Sequence, residues 1–222
     1  MLNAQMKKVL SVYGIAYLIL LLFVLGMLYA YPKPELHLLL NSHHTRIQDV
    51  FFMYYSMLAE GPLYVLGFLP LFWKKIKLTL FYALCELTGG TILQVLKHII
   101  SNPRPVSVFE DYPQFVLPLV QGVDMHHSNS FPSGHASTFF MFCTCCVIYL
   151  AYRYKNAKQN NPIKCVLPYV AILLLAFATL GAYSRIYLSQ HFLSDVCVGS
   201  IIGLVTPFLV SYFIMQKILK IK

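Results

Sequence analysis

The chain has 222 residues, of which 58% are hydrophobic and 11% charged, with a mean hydropathy of +0.65. Soluble domains carry about 25% charged residues, so this composition excludes an ordinary soluble globular protein and places the chain in lipid. The net charge of +9 is an orientation signal and requires no nucleic-acid partner.

A bilayer crossing takes roughly 20 apolar helical residues. The first apolar run, Val9 to Ala30, follows Lys7 and Lys8. It is longer than the apolar region of a signal peptide and lacks a small-residue cleavage site, so it reads as a retained helix. Further apolar runs are Val50 to Trp73, Leu78 to Ile99, Ser133 to Tyr152, Cys165 to Tyr183 and His191 to Met215. The expectation is an all-α integral membrane protein, a bundle of six transmembrane helices forming a single domain over 1–222. All six cysteines fall within apolar runs, where they serve as small hydrophobes, and their spacing suggests neither zinc nor a disulfide framework.

The basic residues are unevenly shared among the connections. Lys7, Lys8, Lys74, Lys75, Lys77, Arg153, Lys155, Lys158, Lys164, Lys217, Lys220 and Lys222 make up 12 of the 17, and none of the 8 acidic residues lies with them. The positive-inside rule therefore puts both termini in the cytoplasm and leaves the connections 31 to 49, 100 to 132 and 184 to 190 outside.

Three clusters sit at the outer ends of these helices. In KHIISNPRP, Lys97 closes the third helix and Arg104 and Pro105 follow. A lysine point charge and an arginine fork together suit a phosphate, although a lysine at a helix end also snorkels to the interface. In Phe131-Pro132-Ser133-Gly134-His135, Ser133 is a good N-cap and Gly134 admits an anion close to the backbone. The helix start offers free N–H groups, with His135 in its first turn. In SRIYLSQHFLSD, Ser184 and Arg185 precede His191 and Asp195. A spacing of four puts His191 and Asp195 on one helix face, so that the carboxylate orients the imidazole for attack or else only joins helices.

Lys97 followed after six residues by Arg104-Pro105, then Pro132-Ser133-Gly134-His135, then Ser184-Arg185 with five residues to His191 and three to Asp195, resembles the complete signature of the type 2 phosphatidic acid phosphatase superfamily. The likeness runs from about residue 80 to 200. It implies a metal-independent lipid phosphatase with no cofactor. His191 would attack phosphorus to form a phosphohistidine, Asp195 would orient it, and His135 would protonate the leaving oxygen. Lys97, Arg104, Arg185, Ser133 and the Gly134 amide would bind the phosphate oxygens.

The implied partners are the bilayer and a phosphorylated lipid, with no nucleic acid and no obligate protein partner. If the chain is bacterial, the candidate lipids are undecaprenyl diphosphate, a lipid A phosphate and phosphatidylglycerol phosphate, met on the periplasmic face of the inner membrane. A phosphotransferase using the same residues, or a non-catalytic transporter or scaffold, are the other readings. Haloperoxidases resemble the same pocket but are soluble.

Outside the signature, Glu86, Gly90, Gln94 and Lys97 recur at helical spacing. They are expected to face the bundle interior, with Glu60 as a neighbour, either orienting Lys97 or gluing helices. The pairs His43-His44 and His126-His127 read as solvated loop residues that could also touch a headgroup.

Overall fold

A computed structural model describes residues 4–154 and 161–215, without the side chains of 71, 214 and 215. Lys155, Lys158, Lys217, Lys220 and Lys222 lie outside the described residues. The described residues are helical, without strands: α1 (Ala4–Ala30), α2 (Lys33–Leu40), α3 (Arg46–Met57), α4 (Pro62–Phe68), α5 (Ile76–Ile99), α6 (Pro105–Glu110), α7 (Gly134–Arg153), α8 (Ile163–Tyr187) and α9 (Leu193–Val210).

Five helical segments are long and apolar enough to cross a membrane: α1, α5, α7, α8 and Leu193–Phe213. The apolar stretch from Val50 to Trp73, expected to be one helix, is instead broken. It folds as α3, a turn, α4 and a 3-10 turn over Leu69–Trp73. The physical cause is legible at Gly61-Pro62 and Pro70, because proline has no N–H to donate and clashes with the preceding turn. The break matters to the site, since Glu60 stands in it.

The centre of the bundle is α7, which packs against α8 and α9 over most of its length. Two glycines in α9 make that packing close. A Cβ on Gly199 would fall 2.3 Å from the carbonyl oxygen of Ser133, and one on Gly203 would fall 2.2 Å from that of Ser137. Small residues four apart let two helix backbones approach to contact. Here they bring the start of α7 against the first turns of α9, where the backbone N–H of Ser133 donates to the carbonyl of Asp195 at 3.0 Å.

Helix α1 leans on the other side of this core through Val9, Tyr13 and Tyr17. Inside an apolar bundle a phenol needs a partner. Tyr13 finds it in Thr144 Oγ1 at 3.0 Å and Tyr17 in Ser200 Oγ at 2.9 Å.

Candidate phosphate site

The connection from α5 to α7 is fastened at both ends by cations. Lys97, in the last turn of α5, donates from Nζ to the carbonyl of Asn129 at 3.3 Å. Arg104 precedes α6, whose first residue is Pro105. Its backbone N–H donates to the carbonyl of His127 at 3.0 Å and its Nε to that of Ser128 at 3.0 Å. Its Nη1 reaches the Oε1 of Gln190 at 2.9 Å and the Gln190 carbonyl at 3.2 Å. Gln190 in turn donates from Nε2 to the carbonyl of Asp124 at 3.0 Å. The long outer loop is thereby tied to the residue beside His191.

At the start of α7, Ser133 caps the helix as expected, its Oγ accepting the N–H of Ala136 at 3.4 Å. A Cβ placed on Gly134 meets no atom within 4 Å, so the helix start is unobstructed on that side. His135 Nε2 lies 3.2 Å from Glu60 Oε1. This replaces the expected place of Glu60 beside Glu86: the break between α3 and α4 delivers it to the imidazole of α7.

Arg185 is buried near the end of α8, with 7% exposure. Its Nη1 donates to Ser56 Oγ at 2.5 Å, while its Nε is buried without a protein partner. His191 is not on a helix face. It stands in the turn before α9, whose N-cap is Phe192, and the Asp195 Oδ2 lies 3.8 Å from its Nδ1. Asp195 instead occupies the third position of α9 and accepts the N–H of Phe192 at 3.0 Å, closing that helix start. Burial, reinforced by the charges of Arg185 and Arg104 and opposed by Asp195, brings the His191 pKa down to about 4. The ring is therefore neutral near pH 7 and carries a free lone pair.

These side chains belong to one neighbourhood. The charges of Arg185, Arg104 and Lys97, together with His191, act on His135, and those of Arg104, Arg185 and Asp195 act on Lys97. All eight residues singled out from the sequence, Lys97, Arg104, Ser133, Gly134, His135, Arg185, His191 and Asp195, lie on segments joined by the contacts just described. Sequence reasoning missed Ser56, Gln190 and Ser130. The last donates its hydroxyl to Asp195 Oδ2 at 2.5 Å.

The polar stripe on α5 divides. Lys97 turns to the loop, while Glu86, Gly90, Gln94 and His98 line an open groove of about 620 Å³ along the helix. No hydrogen bond links Gln94 to Lys97 among the described contacts; His98 Nδ1 bonds the Gln94 carbonyl at 2.8 Å. The loop histidines divide: His44 is half-buried and holds Asp49 at 2.9 Å, while His127 is exposed, as expected, and contacts Ser107 at 3.0 Å.

Residues 78–219 match the PAP2 superfamily. The chain belongs to the PAP2 superfamily. As a member it is a phosphatase, and its helices make it an integral membrane protein. Dolichyldiphosphatase of Saccharomyces cerevisiae is 29% identical over 195 residues, which cover 85% of this chain and 72% of that protein. Among solved PAP2-like folds, Aquifex aeolicus LpxE superposes with a TM-score of 0.63 at 24% identity, over 82% of this chain and 97% of that one. A transmembrane PAP2-type phosphatidylglycerolphosphate phosphatase from Bacillus subtilis superposes with a TM-score of 0.60 at 21% identity, over 97% and 100%.

Proposed function

We propose that this PAP2 phosphatase hydrolyses a polyprenyl diphosphate in the membrane, through a phosphohistidine on His191. One observation carries the site assignment. Lys97, Arg104 and Arg185 all act on His135, and the two arginines on His191, yet none has a carboxylate within ion-pairing distance among the described residues. Unpaired cations at a membrane edge are costly unless an anion joins them, and the orphaned Nε of Arg185 offers that anion a donor. A phosphoryl group supplies the charge and the oxygens.

In this reading the neutral Nε2 of His191 attacks phosphorus, and the electron pair of the broken P–O bond leaves on the lipid-side oxygen. His135, protonated as the imidazolium once the negative charge of the phosphate joins Glu60 beside it, supplies the proton to that oxygen. Water then attacks the phosphohistidine; its proton goes to His135, and the N–P pair returns to Nε2. The three cations and the Gly134 amide stabilise the charge spread over the equatorial oxygens, which is where most of the catalysis of phosphoryl transfer resides.

The choice of lipid rests on the likeness to dolichyldiphosphatase, which extends over most of this chain. Undecaprenyl diphosphate belongs to the same chemical class, while a lipid A phosphate and phosphatidylglycerol phosphate are the competing substrates. The broken stretch α3–α4 supplies a sixth crossing. The lysines then place both termini in the cytoplasm, with the site on the opposite face.

Purified protein presented with polyprenyl diphosphate, lipid A and phosphatidylglycerol phosphate is expected to release phosphate fastest from the first. The rate should be unchanged in a chelator. A preference for either of the others corrects the substrate, and activity that vanishes in chelator and returns with magnesium contradicts the mechanism. Transfer of the phosphoryl group to an alcohol rather than to labelled water would identify a phosphotransferase.

A further inference from the structure

Asp195 is fully buried, and each of its oxygens is occupied. Oδ1 accepts the Ser194 hydroxyl at 3.1 Å. Oδ2 accepts the Phe192 N–H at 3.0 Å and the Ser130 hydroxyl at 2.5 Å. His191 meets the carboxylate directly only at long range, its Nδ1 standing 3.8 Å from Oδ2, although the two groups act on each other electrostatically. The same Ser130 Oγ lies 3.5 Å from His191 Nδ1.

We propose that Ser130 is the positioning residue that joins Asp195 to His191, holding the imidazole with its hydrogen on Nδ1 and its lone pair on Nε2; this rests on the reading of His191 as nucleophile. A serine hydroxyl has one hydrogen to give. Given to a carboxylate, which can only accept, it leaves the serine oxygen as an acceptor toward Nδ1, so Nδ1 must carry the proton. The two ring nitrogens are distinguished by the bond that one of them makes. Catalytic hydrogen bonds that are long in the resting site shorten when substrate is bound.

When Nε2 bonds to phosphorus, the ring becomes cationic and Nδ1–H becomes a stronger donor. Its partner oxygen is polarised by the buried carboxylate, and no proton need leave the serine. Ser130 is itself held rigid. It is fully buried, and its backbone N–H donates to the carbonyl of Asn102 at 2.9 Å, close to the loop that carries Arg104. The residue lies three positions before Ser133, ahead of the segment picked out from the sequence.

The test compares the full-length parent with Ser130→Ala, Ser130→Thr, Asp195→Asn, His191→Ala and the Ser130→Ala/Asp195→Asn pair, using geranylgeranyl diphosphate as the probe. Loss of orientation acts on the chemical step, so Ser130→Ala should lower kcat by about 10- to 100-fold with KM within about twofold. Ser130→Thr, which keeps the hydroxyl, should recover most of the rate. Coupling through one chain predicts that the double variant is no slower than Asp195→Asn by more than about threefold. Full kcat in Ser130→Ala, Thr no better than Ala, or multiplicative losses in the double variant would each overturn the proposal while an inactive His191→Ala preserved the nucleophile. Full activity in His191→Ala would overturn both.

Discussion

His191→Ala is expected to abolish phosphate release, with a loss on the order of 10⁴-fold or more. The variant removes the buried, neutral imidazole on which Arg185 and Arg104 act, and with it the proposed nucleophile. Alanine leaves the turn before α9 intact, because that helix start is closed by Asp195 and Phe192 rather than by the imidazole. Loss of rate with an unchanged unfolding temperature is therefore the expected pair of measurements. Asp195→Asn should behave differently and retain a small residual rate. The nucleophile remains, but an amide replaces one of the two acceptor oxygens by a donor, facing either Ser194 or the pair Ser130 and Phe192 N–H, so the network that orients the ring is disturbed.

The second large effect is expected at Arg185. Its guanidinium is buried among α3 and α8 residues, held on one side by Ser56 and unpartnered at Nε. In the proposed reading that nitrogen is a donor for the phosphate. Removing one such donor from a charge-stabilising site costs about 10² to 10³ in kcat. Arg185→Ala should show at least that loss. Arg185→Lys should recover only part of it, because an ammonium on a flexible stem cannot bond Ser56 and hold a phosphate oxygen with the same fork. Recovery of full activity by lysine would show that charge alone matters there.

Much of the site was legible because its residues are compressed into short segments. Ser133, Gly134 and His135 are adjacent, and a helix start with a serine cap reads directly from local chemistry. The lysine distribution and the apolar runs likewise follow from transfer free energies that act position by position. What could not be read is what depends on distance across the fold. Glu60 and His135 are 75 positions apart, and no spacing rule pairs them.

Gln190 was overlooked because an amide beside a histidine carries no signal until Arg104 is seen to end on it. His191 and Asp195 look like a helical i, i+4 pair, yet the helix begins between them, and Ser130 stands within reach of both. Two signals were present and unused. Gly61-Pro62 with Pro70 announces the break in the second apolar stretch. Gly199 and Gly203, four apart, announce the close contact of α9 with α7 that brings two of the three clusters together.

The central step is the formation of the bond between His191 and phosphorus. It is tested most directly by briefly mixing the protein with a ³²P-labelled polyprenyl diphosphate, quenching in base, and mapping the label. The prediction is a base-stable, acid-labile label on the peptide containing His191, absent in His191→Ala. Turnover with label on another residue, or with none on the protein at any time, would contradict it.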